Sequence, residues 1–204
     1  MESDDDLNIR VVLSPLTYRV KGLRNYYKVQ NMEINISGYQ IGVLYALSSN
    51  AGDNRLIIRS IDKWYCEVCQ ELFRVNIYPN NYHYDRDKAT QWCLKGTLKV
   101  PFPKLEDITD IEGFCRSWIE IHSCLDKPRD KLRLRIYGKE EILKFLIQHL
   151  PVAMKKIQNI RTQTGITSAV YYQSRKEIIN IFDYINGYPK NDKVWDKWNK
   201  IIEF

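Results

Sequence analysis

Apolar residues in this chain recur with two spacings, and the order in which the spacings alternate is itself repeated. Tyr39–Leu47 and Asp110–Trp118 carry apolar and small residues at helical spacing. Each is followed by a short alternating run, Arg55–Arg59 and Lys131–Tyr137, that reads as a strand. Each strand then feeds a second apolar-periodic stretch, Ser60–Phe73 and Gly138–Leu150, that reads as a helix. Further strands are expected at Val75–Tyr84 and Ala89–Leu98 in the first half, and at Lys155–Gln163 and Thr167–Ser174 in the second. A closing helix at Arg175–Ile185 has no counterpart in the first half. There, Thr97-Leu-Lys-Val-Pro-Phe-Pro103 would break a helix, because proline lacks the amide donor and clashes with the preceding turn. Lys193–Glu203 puts Val194, Trp195, Trp198, Ile201 and Ile202 on one side and predicts a last amphipathic helix.

The first helix of each unit carries a glycine and a second small residue four apart, Gly42 with Ala46 and Gly113 with Ser117. Residues i and i+4 share a helix face, so each helix offers a nearly bare strip. Two such strips can approach closely, and we expect the two helices to pack against each other there. The organisation predicted is an α+β fold of two pseudo-symmetric repeats. Residues 1–36 form an acidic tail and basic extension, 37–103 the first repeat with its connector, and 104–204 the second repeat with the C-terminal helices.

Charge adds a candidate partner. Thirty-one Lys and Arg against 25 Asp and Glu give a formal charge of +6, and Glu2 and Asp4–Asp6 lie in the tail, so the folded part is more basic than the whole. Such a field favours polyanions. The extension Leu7–Asn35 adds Arg10, Arg19, Lys21, Arg24 and Lys28 with Tyr18, Tyr26 and Tyr27, and is expected to pack as an edge strand. No apolar run is long enough to span a membrane, and the start lacks the order of a signal peptide, so an intracellular protein is expected. Cys66 and Cys69 have a metal-like spacing but lack a second ligand pair, and they read as core residues. His83, His122 and His149 are scattered. A glycine-rich phosphate loop, an HExxH helix and a Gly-x-Ser-x-Gly elbow are all missing. No cofactor and no metal site are expected.

The paired small-residue helices, the strand-and-helix units after them, and the ending Phe182–Ile185 with Lys193-Val-Trp-Asp-Lys-Trp-Asn-Lys200 resemble the single-chain, two-repeat LAGLIDADG homing endonucleases over residues 37–203. The resemblance implies paired interface helices and one saddle-shaped antiparallel sheet per half, lying along the DNA major groove. It also implies an acid at the end of each interface helix, five residues after the motif glycine, holding divalent metal for strand cleavage. Counting from Gly42 and Gly113 reaches Leu47 and Trp118, neither of which can bind Mg²⁺. Asp53 and Glu120 are nearby acids but not equivalent positions. A degenerate, non-cleaving scaffold is therefore expected.

Its partner would be double-stranded DNA, with structured RNA as the alternative in a maturase-like splicing cofactor, and a protein-interaction module or residual Mg²⁺-dependent endonuclease behind these. One chain carrying both repeats implies a monomer. By strand alternation, the DNA-contacting set is Arg55, Arg59, Tyr82, Tyr84, Arg86, Lys88, Gln91 and Lys95 in the first half. In the second it is Arg133, Arg135, Lys156, Gln158, Arg161, Gln163, Tyr171 and Gln173. Arg and Lys suit phosphates or guanine edges, and Gln suits adenine.

Overall fold

A computed structural model describes residues 35–80, 91–162 and 165–203. In the first half the order is α1 (Gly38–Leu47), β1 (Ser48–Asn50), β2 (Leu56–Ser60), α2 (Lys63–Cys69), β3 (Tyr78–Asn80) and β4 (Gln91–Gly96). The second half runs α3 (Ile111–His122), β5 (Ser123–Asp126), β6 (Arg133–Gly138), α4 (Glu140–His149), β7 (Gln158–Thr162), β8 (Gly165–Tyr172) and α5 (Arg175–Tyr184). Then comes α6 (Asp192–Glu203). Among the described residues the strands form two four-stranded antiparallel sheets, ordered β1-β2-β4-β3 and β5-β6-β8-β7. The same order in both halves bears out the expected α+β repeat. The edge strands β1 and β5 are only three and four residues long and have no apolar alternation, so the sequence pattern assigns no residues to them. The extension up to Ile34, with its expected edge strand, lies outside the described residues.

One face of each sheet is apolar and supports the helices. Ile58 and Leu94 in the first sheet, and Leu134, Ile136, Val170 and Tyr172 in the second, are fully buried and join the same core as α1 to α6. Cys66 and Cys69 lie in that core, as expected, and burial pushes the Cys66 thiol up to about 12. A thiol held protonated this firmly is a poor metal ligand.

The helices α1 and α3 lie side by side and parallel, and their first turns share one carboxylate. Asp110 caps α3 by accepting from the Gly113 amide through Oδ1 at 2.9 Å, and it accepts from the Gly38 amide of α1 through Oδ2 at 2.8 Å. A single negative charge thus sits between two positive helix ends, which fixes the pair in register. Ser37 and Gln40 complete a reciprocal capping box on α1. Small residues make the approach possible. A Cβ on Gly38 would lie 1.7 Å from the Asp110 carbonyl oxygen, and one on Gly42 would lie 1.9 Å from Ser117 Oγ. A Cβ on Gly113 would lie 2.3 Å from Asp110 Oδ2, the oxygen that binds the Gly38 amide, so this glycine too serves the junction of the two helices. Gly42 and Ser117 face each other directly across the pair. Ala46 takes part through its carbonyl, which accepts from His122 Nε2 at 3.2 Å.

A buried polar knot holds the halves together on another side. Glu120 accepts from Tyr39 Oη at 2.5 Å, from Trp195 Nε1 at 2.7 Å and from the Asn191 amide at 3.3 Å. Asn191 Nδ2 in turn donates to Asp62 Oδ2 at 2.9 Å. Tyr39 and Asp62 come from the first half, Glu120 from the second, and Asn191 and Trp195 from α6 and its approach. Arg116, also buried, donates from Nε to the Ile185 carbonyl at 2.6 Å. Burial raises the Glu120 carboxyl above its usual range, with the three hydrogen bonds pulling it back down.

Candidate nucleic-acid interface

The pairing registers fix which residues of the two sheets are equivalent. Ser48, directly after α1, pairs with Ile58, and Ser123, directly after α3, pairs with Ile136. Ile58 faces Leu94, and Ile136 faces Val170. Leu47, the last residue of α1, is therefore equivalent to His122, the last residue of α3. This corrects the count that reached Trp118. Small residues repeat every four positions, so the pattern fits equally well one turn out of register. The structure matches Gly38 with the start of α3 and Gly42 with Ser117. Trp118 instead lies a turn deeper, its Nε1 donating to the Tyr137 carbonyl at 3.0 Å.

The corrected position is no better suited to holding a divalent metal. Leu47 has no donor atom, and the Nε2 of His122 is engaged by the Ala46 carbonyl. Burial keeps the His122 imidazole below its ordinary pKa. Of the two nearby acids, Glu120 is buried in the polar knot, and Asp53 sits in the β1–β2 turn with a 2.7 Å ion pair to Arg55. Mg²⁺ requires hard oxygen donors, which Leu47 and His122 at the helix ends lack. Among the described residues no group of three or more His, Cys, Asp or Glu gathers as a metal site.

Each sheet turns its other face away from the helices. In the first sheet that face carries Arg59, Gln91 and Lys95 with Tyr78, and Arg55 stands at its end, one residue before β2. Arg55, Arg59 and Lys95 are exposed and Gln91 half-buried. In the second sheet it carries Arg133, Arg135, Tyr137, Thr167, Tyr171 and Gln158, with Asp126 and Cys124 from β5. At the centre of each face sits a small buried side chain, Cys93 in one and Ala169 in the other, at matching positions. Gln173 follows β8 by one residue and Lys156 precedes β7 by two, and both are exposed.

Arg161 departs from the expected set. It pairs with Ile166, on the pleat side opposite Gln158, because three residues along a strand reverses the side. Ile166 is 79% exposed, so this corner of the hairpin projects beyond the core. Tyr82, Tyr84, Arg86, Lys88 and Gln163 lie outside the described residues. Alternation alone could have added Tyr137, which continues the Arg133–Arg135 series. Asp126 had no such signal, because β5 is too short to show a period.

The two faces differ in how their cations are held. A cavity of about 720 Å³ opens at the end of the first sheet, with Arg55, Arg74, Lys95 and Lys99 among its lining residues. In the second sheet Arg133 and Arg135 are both bound to Asp126. The Arg133 hydrogen bond, aided by both positive charges, holds the Asp126 carboxyl below its usual range. No helix among the described residues is long and apolar enough to cross a membrane.

No family model matches the chain, and no curated protein matches it by sequence. Solved structures match it in fold. The I-LtrWI LAGLIDADG homing endonuclease, bound to target DNA, aligns over 81% of this chain and 89% of its own, with a TM-score of 0.54 and 13% identity. I-SmaMI, bound to an uncleaved DNA target in the presence of calcium ions, aligns over 82% of this chain and 91% of its own, with a TM-score of 0.52 and 9% identity. Full-length DUF199/WhiA from Thermatoga maritima aligns over 82% of this chain and 61% of its own, with a TM-score of 0.51 and 14% identity. The chain thus has the two-repeat LAGLIDADG fold, and its own paired helices end in Leu47 and His122.

Proposed function

We propose that this chain is a sequence-specific, non-cleaving double-stranded DNA-binding protein that acts as a regulator and binds as a monomer. The observation that carries the reading is the pair of matched outer sheet faces bearing Arg55, Arg59, Gln91 and Lys95 in one half and Arg133, Arg135, Gln158 and Tyr171 in the other. A two-stranded antiparallel ribbon fits the major groove of B-DNA, where each base pair shows a distinct donor and acceptor pattern. I-LtrWI and I-SmaMI, with the same fold, are DNA-bound. Leu47 and His122 at the helix ends support the absence of cleavage, since two-metal phosphodiester chemistry needs carboxylates to hold the ions.

Selection of bound sequences from a random duplex pool, with Mg²⁺-dependent cleavage followed in parallel, tests the reading. Enrichment of a site of about 15–25 base pairs without strand breaks is the expected result. That length follows from two sheets each reading roughly one turn of duplex. Cleavage would overturn the non-catalytic part, and binding of structured RNA in preference to any duplex would overturn the choice of partner.

A further inference from the structure

Asp126 is a carboxylate at the edge of the second sheet, on the face that carries Arg133 and Arg135. Arg133 engages both of its oxygens, Nε to Oδ1 and Nη2 to Oδ2, each at 2.9 Å. Arg135 Nη2 also donates to Oδ2 at 2.7 Å and lies 3.2 Å from Cys124 Sγ. By the sheet registers, Ala51 holds the matching place in the first half, where Arg55 has only an exposed pair with Asp53. The arrangement therefore belongs to the second half alone.

A guanidinium has five N–H donors in one plane. Arg133 uses its side-on edge, Nε–H with one Nη2–H, on Asp126. Its end-on edge, one hydrogen on each of Nη1 and Nη2, remains, and its side chain is 33% exposed. Arg135 is different. Both Nη2 hydrogens are engaged and its Nε is buried without a partner, so it cannot present two parallel donors. Of the two, Arg133 alone can make a bidentate contact outward.

A phosphate contact needs positive charge and little orientation. A carboxylate beside the guanidinium cancels part of that charge, so it weakens any phosphate contact made there. A guanine edge is a neutral pair of acceptors, N7 and O6, whose recognition depends on the orientation of the donor plane. A carboxylate that fixes the plane serves the second task and opposes the first. We propose that Asp126 is a positioning residue that holds Arg133 to read one guanine, through N7 and O6, in the half of the site bound by the second sheet. The inference rests on the duplex-DNA reading above.

The experiment measures binding of the full chain and its variants to the selected duplex, with each base in turn at every position and with 7-deazaguanine in place of each guanine. For the wild type, one position should prefer guanine by about tenfold or more, and 7-deazaguanine there should lose the same factor. Asp126→Ala and Arg133→Lys should both flatten the preference at that position and at no other. Asp126→Ala should also hold or raise affinity for random duplex, because it removes a negative charge. Asp126→Asn, nearly the same in shape, checks that any loss comes from the charge-assisted clamp, and thermal melting checks that each variant is folded. If Arg133→Ala weakens all sequences equally and Asp126→Ala leaves every base preference intact, Arg133 is a phosphate contact and the proposal fails alone. If the wild type binds no duplex, the functional reading fails and this proposal with it.

Discussion

At the scale of single residues, the outer faces and the helix ends make separate predictions. Replacing Arg133 and Arg135 together with Ala removes both cations around Asp126 and leaves its carboxylate uncompensated. The loss in duplex affinity should be at least about 1–3 kcal/mol, the worth of one bidentate base contact, with the melting temperature little changed. A gel-shift titration beside a melting curve would show it. His122 gives a pH signature. Burial lowers its pKa from 6.5, against the opposing hydrogen bond to the Ala46 carbonyl, so the folded chain takes up a proton less readily than the unfolded one. Stability is unaffected by this group above the unfolded chain's ionisation range, around 6.5. It falls as pH drops below 6.5 towards the lowered value. Denaturant midpoints of wild type and His122→Gln should diverge in that window, with the variant the less pH-sensitive. Parallel curves would mean that His122 titrates alike in both states.

At the scale of elements, the α1–α3 pair decides which glycines matter. Gly42→Leu must displace Ser117 and the Phe114 carbonyl, which lies 2.9 Å from the ideal Cβ, so more than about 3 kcal/mol of destabilisation is expected. Gly113→Ala disturbs the Asp110 cap instead, and a cost of about 1–2 kcal/mol, typical of a lost cap, is expected. Asp110→Ala should exceed that figure, because it uncaps two helices at once. Urea unfolding would rank the three, and equal effects of Gly42→Leu and Gly113→Ala would contradict the geometry. This pair also shows what the sequence can and cannot reveal. The helix and strand periods around Ile58, Leu134 and Ile136 are legible because burial enforces them. The repeat register is not, because a bare strip of small residues looks the same after a one-turn slip. Only the strands that follow α1 and α3 settle it, and β1 and β5 are too short to be seen by pattern. For the same reason Asp126, on β5, gives no sequence signal while its partners Arg133 and Arg135 do. Arg161 is misplaced by parity, an error that the pairing of β7 with β8 exposes at once.

On the scale of the whole molecule, two repeats in one chain need not stay alike. The first outer face holds its cations largely apart and beside an open basic cavity, while the second gathers two arginines on one acid. A site bound by both faces should therefore be only partly two-fold, with stricter base identity in the half that meets the second sheet. Affinity should also fall steeply with salt, with a log–log slope of about −0.9 per phosphate neutralised. Binding should be indifferent to chelation of divalent metal. A chelator that abolished binding would restore metal to the interface and overturn the reading of Leu47 and His122.

The knot around Glu120 has a consequence for the order in which the molecule can be completed. Its members Tyr39 and Asp62 are made early, Glu120 midway, and Asn191 and Trp195 near the end of the described chain. Domains generally fold as units while the chain is being synthesised, yet here neither half can bury its share of these polar groups alone. A nascent chain released before Asn191 would carry a buried carboxylate short of two of its three donors. Products that lack α6 should therefore be more protease-sensitive than the full chain, even though α1 and α3 already join the two halves.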